Sequence, residues 1–183
     1  MTTLPAKARS FWLGPEAPVS AGASRATLTA TRYVKDRLPT LAHGAIIVRL
    51  GRFLDEYVAA RDAGLVCGPQ TTFKMVGTPP TRSPHLAFVR KDRLPANLDT
   101  DADFAPDLAV EVVSGSDTFG DVDAKVQQYL ASGVRLVWLV DPVLHTVTVL
   151  AADRRPQLCT EADDLVGDPV LPDLHISVRQ LFP

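Results

Sequence analysis

Cysteine is scarce. The two present, Cys67 and Cys159, lie far apart and without ligand spacing. That excludes a disulfide framework and a thiolate zinc site. Both are expected as small buried or neutral residues in a reducing cytoplasm. Long apolar runs are missing as well: none approaches the ~18 residues of a membrane span. The first 40 residues lack the apolar core of a secretory signal. A charge excess of either sign is absent, with 19 basic against 21 acidic residues. Nothing global therefore points to a polyanion or an anionic membrane. No internal repeat is visible. The chain has 183 residues, 46% of them hydrophobic, enough to bury one core.

The charge that is present is segregated. Eight acids and no Lys or Arg lie between Asp99 and Asp123, whereas eight basic residues face four acids between Arg49 and Arg93. Two solvated faces are one reading. A cation-binding pocket beside a surface that tolerates polyanions is the other.

Residues 1–24 are rich in Pro, Ala, Gly and Ser without a clear period, which predicts an irregular arm tacked down by Phe11 and Trp12. A short helix is expected over Thr27 to Pro39. From His43 to Ala63 the apolar residues recur at three and four, predicting an amphipathic helix that Gly64 ends. Strands are expected over Leu65 to Val76 (broken at Gly68-Pro69), Pro84 to Val89, Asp107 to Val113 and Val134 to Val140. Thr146 to Leu150 returns as a hairpin partner after the Asp141-Pro142 turn. A second helix fills the space between Val113 and Val134, capped by Ser116 or Asp117 and stopped by Gly133. The tail from Leu165 to Pro183 is expected to fold back over an edge. The order implies a mixed β-sheet flanked by helices, an α/β fold in a single domain over residues 25–183.

Two residues contradict this packing. Glu111 interrupts an apolar strand, and Lys125 lies on the inward stripe formed by Thr118, Val122, Lys125 and Tyr129. Asp107 shares the Glu111 face but lies four residues away, about 13 Å at ~3.3 Å per residue. That is too far to share one ion, so Asp107 is read as a turn residue where the strand begins. Antiparallel pairing about Leu98 places His85 opposite Glu111, close enough to share a metal, whereas a bulge that shifts the register by one would point His85 to the other face. An inward Lys125 needs a counter-charge, and Glu111 is the nearest candidate. A structural ion pair satisfies these observations. So does a hard-cation site with a lysine set on developing negative charge, the arrangement phosphodiester cleavage uses.

The run PDLAVEVVSGSDTFGDVDAKVQQYLASGVRLVWLVDP, with the PHLAFV strand, the helix beginning at His43 and the LPDL tail, resembles the Uma2 family of restriction-endonuclease-like proteins. The matching positions are Asp107, Glu111, Ser114, Lys125, Tyr129, Gly133, Trp138 and Asp141-Pro142. The resemblance implies the PD-(D/E)XK nuclease fold and divalent-metal-dependent cleavage of DNA, with Mg²⁺ or Mn²⁺ as cofactor. It implies Glu111 and His85 as metal ligands, Lys125 as the catalytic lysine moved from position 113 to the helix, and Asp107 and Tyr129 in support. Two departures follow from the same comparison. Pro84-His85 stands where the family usually has Pro-Asp, which predicts impaired cleavage, and the family's acidic hairpin before the first helix is not recognisable. A catalytically inactive relative that binds nucleic acid or a protein partner is the alternative. A homodimer is expected, because two cuts in a duplex suit a two-fold assembly.

Overall fold

The computed structural model describes residues 39–183. The expected arm over residues 1–24, its boundary at 25 and the short helix from Thr27 lie outside these residues, except for Pro39, which is coil.

Helix α1 spans Leu41–Arg61, and the Thr40 side chain caps it by accepting from the His43 amide. His43, Ile46, Leu50, Leu54, Tyr57 and Val58 are its buried stripe. The helix stops earlier than expected: Asp62, at φ +50°, takes the left-handed position. Gly64 instead opens the first strand, where a Cβ would collide with the Val89 carbonyl.

The strands are β1 (Gly64–Cys67), β2 (Phe73–Lys74), β3 (Thr81–Arg82), β4 (Leu86–Arg90) and β5 (Leu108–Val112). After helix α2 (Phe119–Ala131) come β6 (Leu136–Asp141), β7 (Thr146–Ala151), β8 (Arg154–Cys159), β9 (Asp164–Val166) and β10 (His175–Ser177). Six form one sheet in the order β1-β4-β5-β6-β7-β8. Every pair is antiparallel except β5 and β6, which are parallel and joined by α2. The mixed α/β architecture is the one the element order implies.

Alternation along β5 separates two apolar layers. Leu108, Val110 and Val112 face α1, and Ala109 packs with Val126 and Tyr129 of α2. The tail folds back over the outer strands of the sheet, as expected. Leu165, Leu171, Leu174, Ile176, Val178 and Leu181 join the α1 layer, because the outer strands carry Val147 and Val149 on that face and need a cover.

The α2 cap also differs from expectation. Thr118, not Ser116 or Asp117, accepts from the Asp121 amide, and Asp121 returns the bond in a capping box. Asp117 closes the preceding turn by accepting from the amide and hydroxyl of Ser114. Gly133, at φ +88°, ends the segment as its position suggests.

Candidate active site

The β4–β5 register pairs Leu86 with Val110 and Ala87 with Ala109, so the next pair outward sets residue 85 against residue 111. The His85 amide continues the ladder by donating to the Val110 carbonyl at 3.0 Å. The two side chains meet, with His85 Nδ1 2.7 Å from Glu111 Oε2. Nδ1 also accepts from the Val112 amide at 3.3 Å. At 2.7 Å the His85–Glu111 contact is the length of an N–H···O hydrogen bond where Nδ1 carries the proton, and a cation can bridge the pair where it does not.

Glu111 is 6% exposed, and its other oxygen accepts from the Tyr129 hydroxyl at 2.6 Å. Burial, then the Glu111 charge, raises the Tyr129 pKa far above its ordinary value. The phenol therefore remains a donor. Lys125, one turn earlier on α2, brings Nζ to 3.9 Å from Glu111 Oε2 and 3.4 Å from Asp117 Oδ1. Burial alone would raise the Asp117 carboxyl. The Ser114 hydrogen bonds and Lys125 together outweigh it, so its pKa is lowered.

Four of the residues expected here therefore converge: His85, Glu111, Lys125 and Tyr129. Asp107 does not. It is buried at the other end of β5, where it accepts from the Arg90 amide and pairs with Arg93 at 3.0 Å. Its place is at the start of the strand, as the spacing argues.

His43, a buried residue in the first turn of α1, also borders this site. The Thr40 cap seats the start of α1 over the end of β5, and His43 Nε2 donates to the Val112 carbonyl at 3.1 Å. Its ring meets that of His85 edge to face, with centroids 4.7 Å apart. Burial, then repulsion from His85, lowers its pKa, so the neutral ring is favoured. A signal was legible: His43 heads the buried stripe of α1, three residues before Ile46.

Five of the eight basic residues between Arg49 and Arg93 are paired. Arg52, Lys74, Arg90, Lys91 and Arg93 each pair with a carboxylate.

The residues present fit a divalent ion, though thinly. In an octahedral shell with bonds of ~2.1 Å, neighbouring donors are about 3 Å apart. The His85–Glu111 contact is close to that span. Among the described residues no group of three His, Cys, Asp or Glu side chains converges to hold a metal. Water and substrate oxygen would have to complete the shell.

A family model described as "Uma2: Putative restriction endonuclease" matches residues 33–179. Among curated proteins none matches. Among solved structures, the chain resembles one described as "a putative nuclease belonging to DUF820", from Anabaena variabilis ATCC 29413. The TM-score is 0.69 at 22% identity, covering 80% of this chain and 83% of that one. At that identity the likeness is one of fold.

Proposed function

Because the chain belongs to the Uma2 family, we propose that it is a divalent-metal-dependent endonuclease that hydrolyses phosphodiester bonds of DNA. One observation carries the reading: His85 Nδ1 and Glu111 Oε2 lie 2.7 Å apart, with Lys125 on the same carboxylate oxygen at 3.9 Å. In this reading His85 and Glu111 hold the ion. Such an ion supplies Lewis acidity toward the phosphoryl oxygen and lowers the pKa of water.

The protein's own groups do the rest. Tyr129 donates to Oε1 and so fixes the carboxylate with Oε2 turned outward. Lys125, held by Asp117 as well as Glu111, sets a positive charge where negative charge develops on the phosphoryl group. His43 holds the Val112 carbonyl and buttresses the His85 ring. A homodimer belongs to the proposal, one centre for each strand of a duplex.

A plasmid-nicking time course tests it. Mn²⁺-dependent cleavage by the native chain, lost in Glu111→Ala and Lys125→Ala, supports the reading. Cleavage unaffected by either substitution would refute it. A second reading, a nuclease-fold protein that binds nucleic acid or a protein partner without cutting, is favoured by the imidazole at position 85 and by the thin set of donors around it. Its mark would be tight binding with no nicking in any metal.

A further inference from the structure

Among the described residues the half-buried Arg82 guanidinium pairs with no carboxylate and is held by α2 instead. Arg82 ends β3, three residues before His85. Its Nε donates to Gln128 Oε1 at 2.7 Å. The Gln128 amide nitrogen donates to the carbonyls of Val76 and Pro79, so only its oxygen is left to face the guanidinium. Gln128 is buried, precedes Tyr129 and lies three residues after Lys125, on the same side of α2.

Among the described residues the two terminal nitrogens of Arg82 have no hydrogen-bond or ion-pair partner. The amide that holds Nε is neutral and cancels none of the charge. A guanidinium gripped through Nε presents its remaining nitrogens as a planar fork, which matches two oxygens of one phosphate. The flexible stem is already ordered by Gln128, so less freedom is lost when a ligand binds.

We infer that Arg82, held by Gln128, binds a backbone phosphate of the nucleic-acid substrate next to the Glu111 centre and thereby positions the bond to be cut. This rests on the nuclease reading and names a contact that the reading lacks. The carboxylates of Glu111 and Asp117 would otherwise repel a phosphate chain, and Arg82 pairs with neither.

Fluorescence anisotropy of a labelled DNA duplex in EDTA, over about 50 to 200 mM salt, tests the contact without any turnover. Arg82→Gln should weaken binding about tenfold. It should also reduce the slope of log K against log salt by about one. Arg82→Lys keeps the charge and loses the fork, so it should retain the slope and lose affinity. Gln128→Ala should lose affinity with the slope unchanged.

Thermal melts report folding of each variant. If Arg82 only ties the β2–β3 hairpin to α2, Arg82→Gln and Gln128→Ala lower the melting temperature alike and leave the salt slope alone, which overturns the inference. Should Arg82→Gln fail to fold, Arg82→Lys with native affinity overturns it equally. If the native chain cleaves DNA, Glu111→Ala does not, and Arg82→Gln binds like the native chain, this inference falls and the nuclease reading stands. A native chain that neither binds nor cuts the duplex overturns both.

Discussion

Glu111 is held from three sides, and each partner does something different to it. Tyr129 satisfies Oε1, so Tyr129→Phe leaves a buried carboxylate oxygen without a donor. We expect a loss of about 1–3 kcal/mol of unfolding free energy, read from urea denaturation. His85 is the chemically unusual partner. Mg²⁺ prefers oxygen ligands, whereas Mn²⁺ accepts nitrogen more readily. The native chain is therefore expected to cut weakly or not at all with Mg²⁺ and better with Mn²⁺. His85→Asp restores a carboxylate opposite Glu111 and should raise Mg²⁺-dependent nicking at least about tenfold, some 1.4 kcal/mol of barrier. If His85 were only a packed residue, the substitution would lower stability and leave metal dependence untouched.

At the scale of elements, α2 decides where Lys125 stands, and its capping box decides where α2 begins. Thr118→Ala removes one arm of that box and frees the Asp121 amide. About 1 kcal/mol of stability should be lost, with the urea midpoint shifted and the slope unchanged. The cap escaped the sequence reading because Ser116, Asp117 and Thr118 are all good caps, and Asp121 is not the Glu or Gln of the usual box. Strand β8 escaped it for another reason. Arg154, Arg155 and Pro156 oppose a strand assignment, yet β8 is the sheet's last strand, where Pro leaves no ladder donor missing and charge discourages further pairing. The β4–β5 register, in contrast, was legible. A hairpin about Leu98 predicts 85 opposite 111, and the observed pairs have that register.

For the molecule as a whole, His43 links stability to pH. Burial and the neighbouring His85 hold its folded pKa below 6.5, so the unfolded chain takes up the proton first as pH falls. Its contribution is complete above about pH 6.5 and is lost as pH drops through the lower folded value. Thermal melts should show a falling transition temperature on the acid side of that point, and His43→Asn should flatten this limb. The lowered Asp117 pKa adds a separate loss below its ordinary value of 3.8, so the two windows do not coincide. Among the described residues no helix is long and apolar enough to cross a membrane, in line with the absence of long apolar runs.

Period, alternation and punctuation determined most of the elements by themselves. They are local properties: a helix stripe, a strand face or a left-handed glycine depends on a few neighbouring residues. The pairing of Glu111 with His85 and Lys125 was within reach because strand register and helix spacing are arithmetic. Tertiary structure alone decided the rest. Whether His43 reaches the Val112 carbonyl depends on where α1 sits over β5, and what holds the Arg82 guanidinium is a glutamine 46 residues away. Whether Lys91 and Arg93 are free depends on where Asp62 and Asp107 fold to meet them. A charge in the sequence is only a count; its effect depends on distance and on the dielectric around it, and both exist only once the chain is packed.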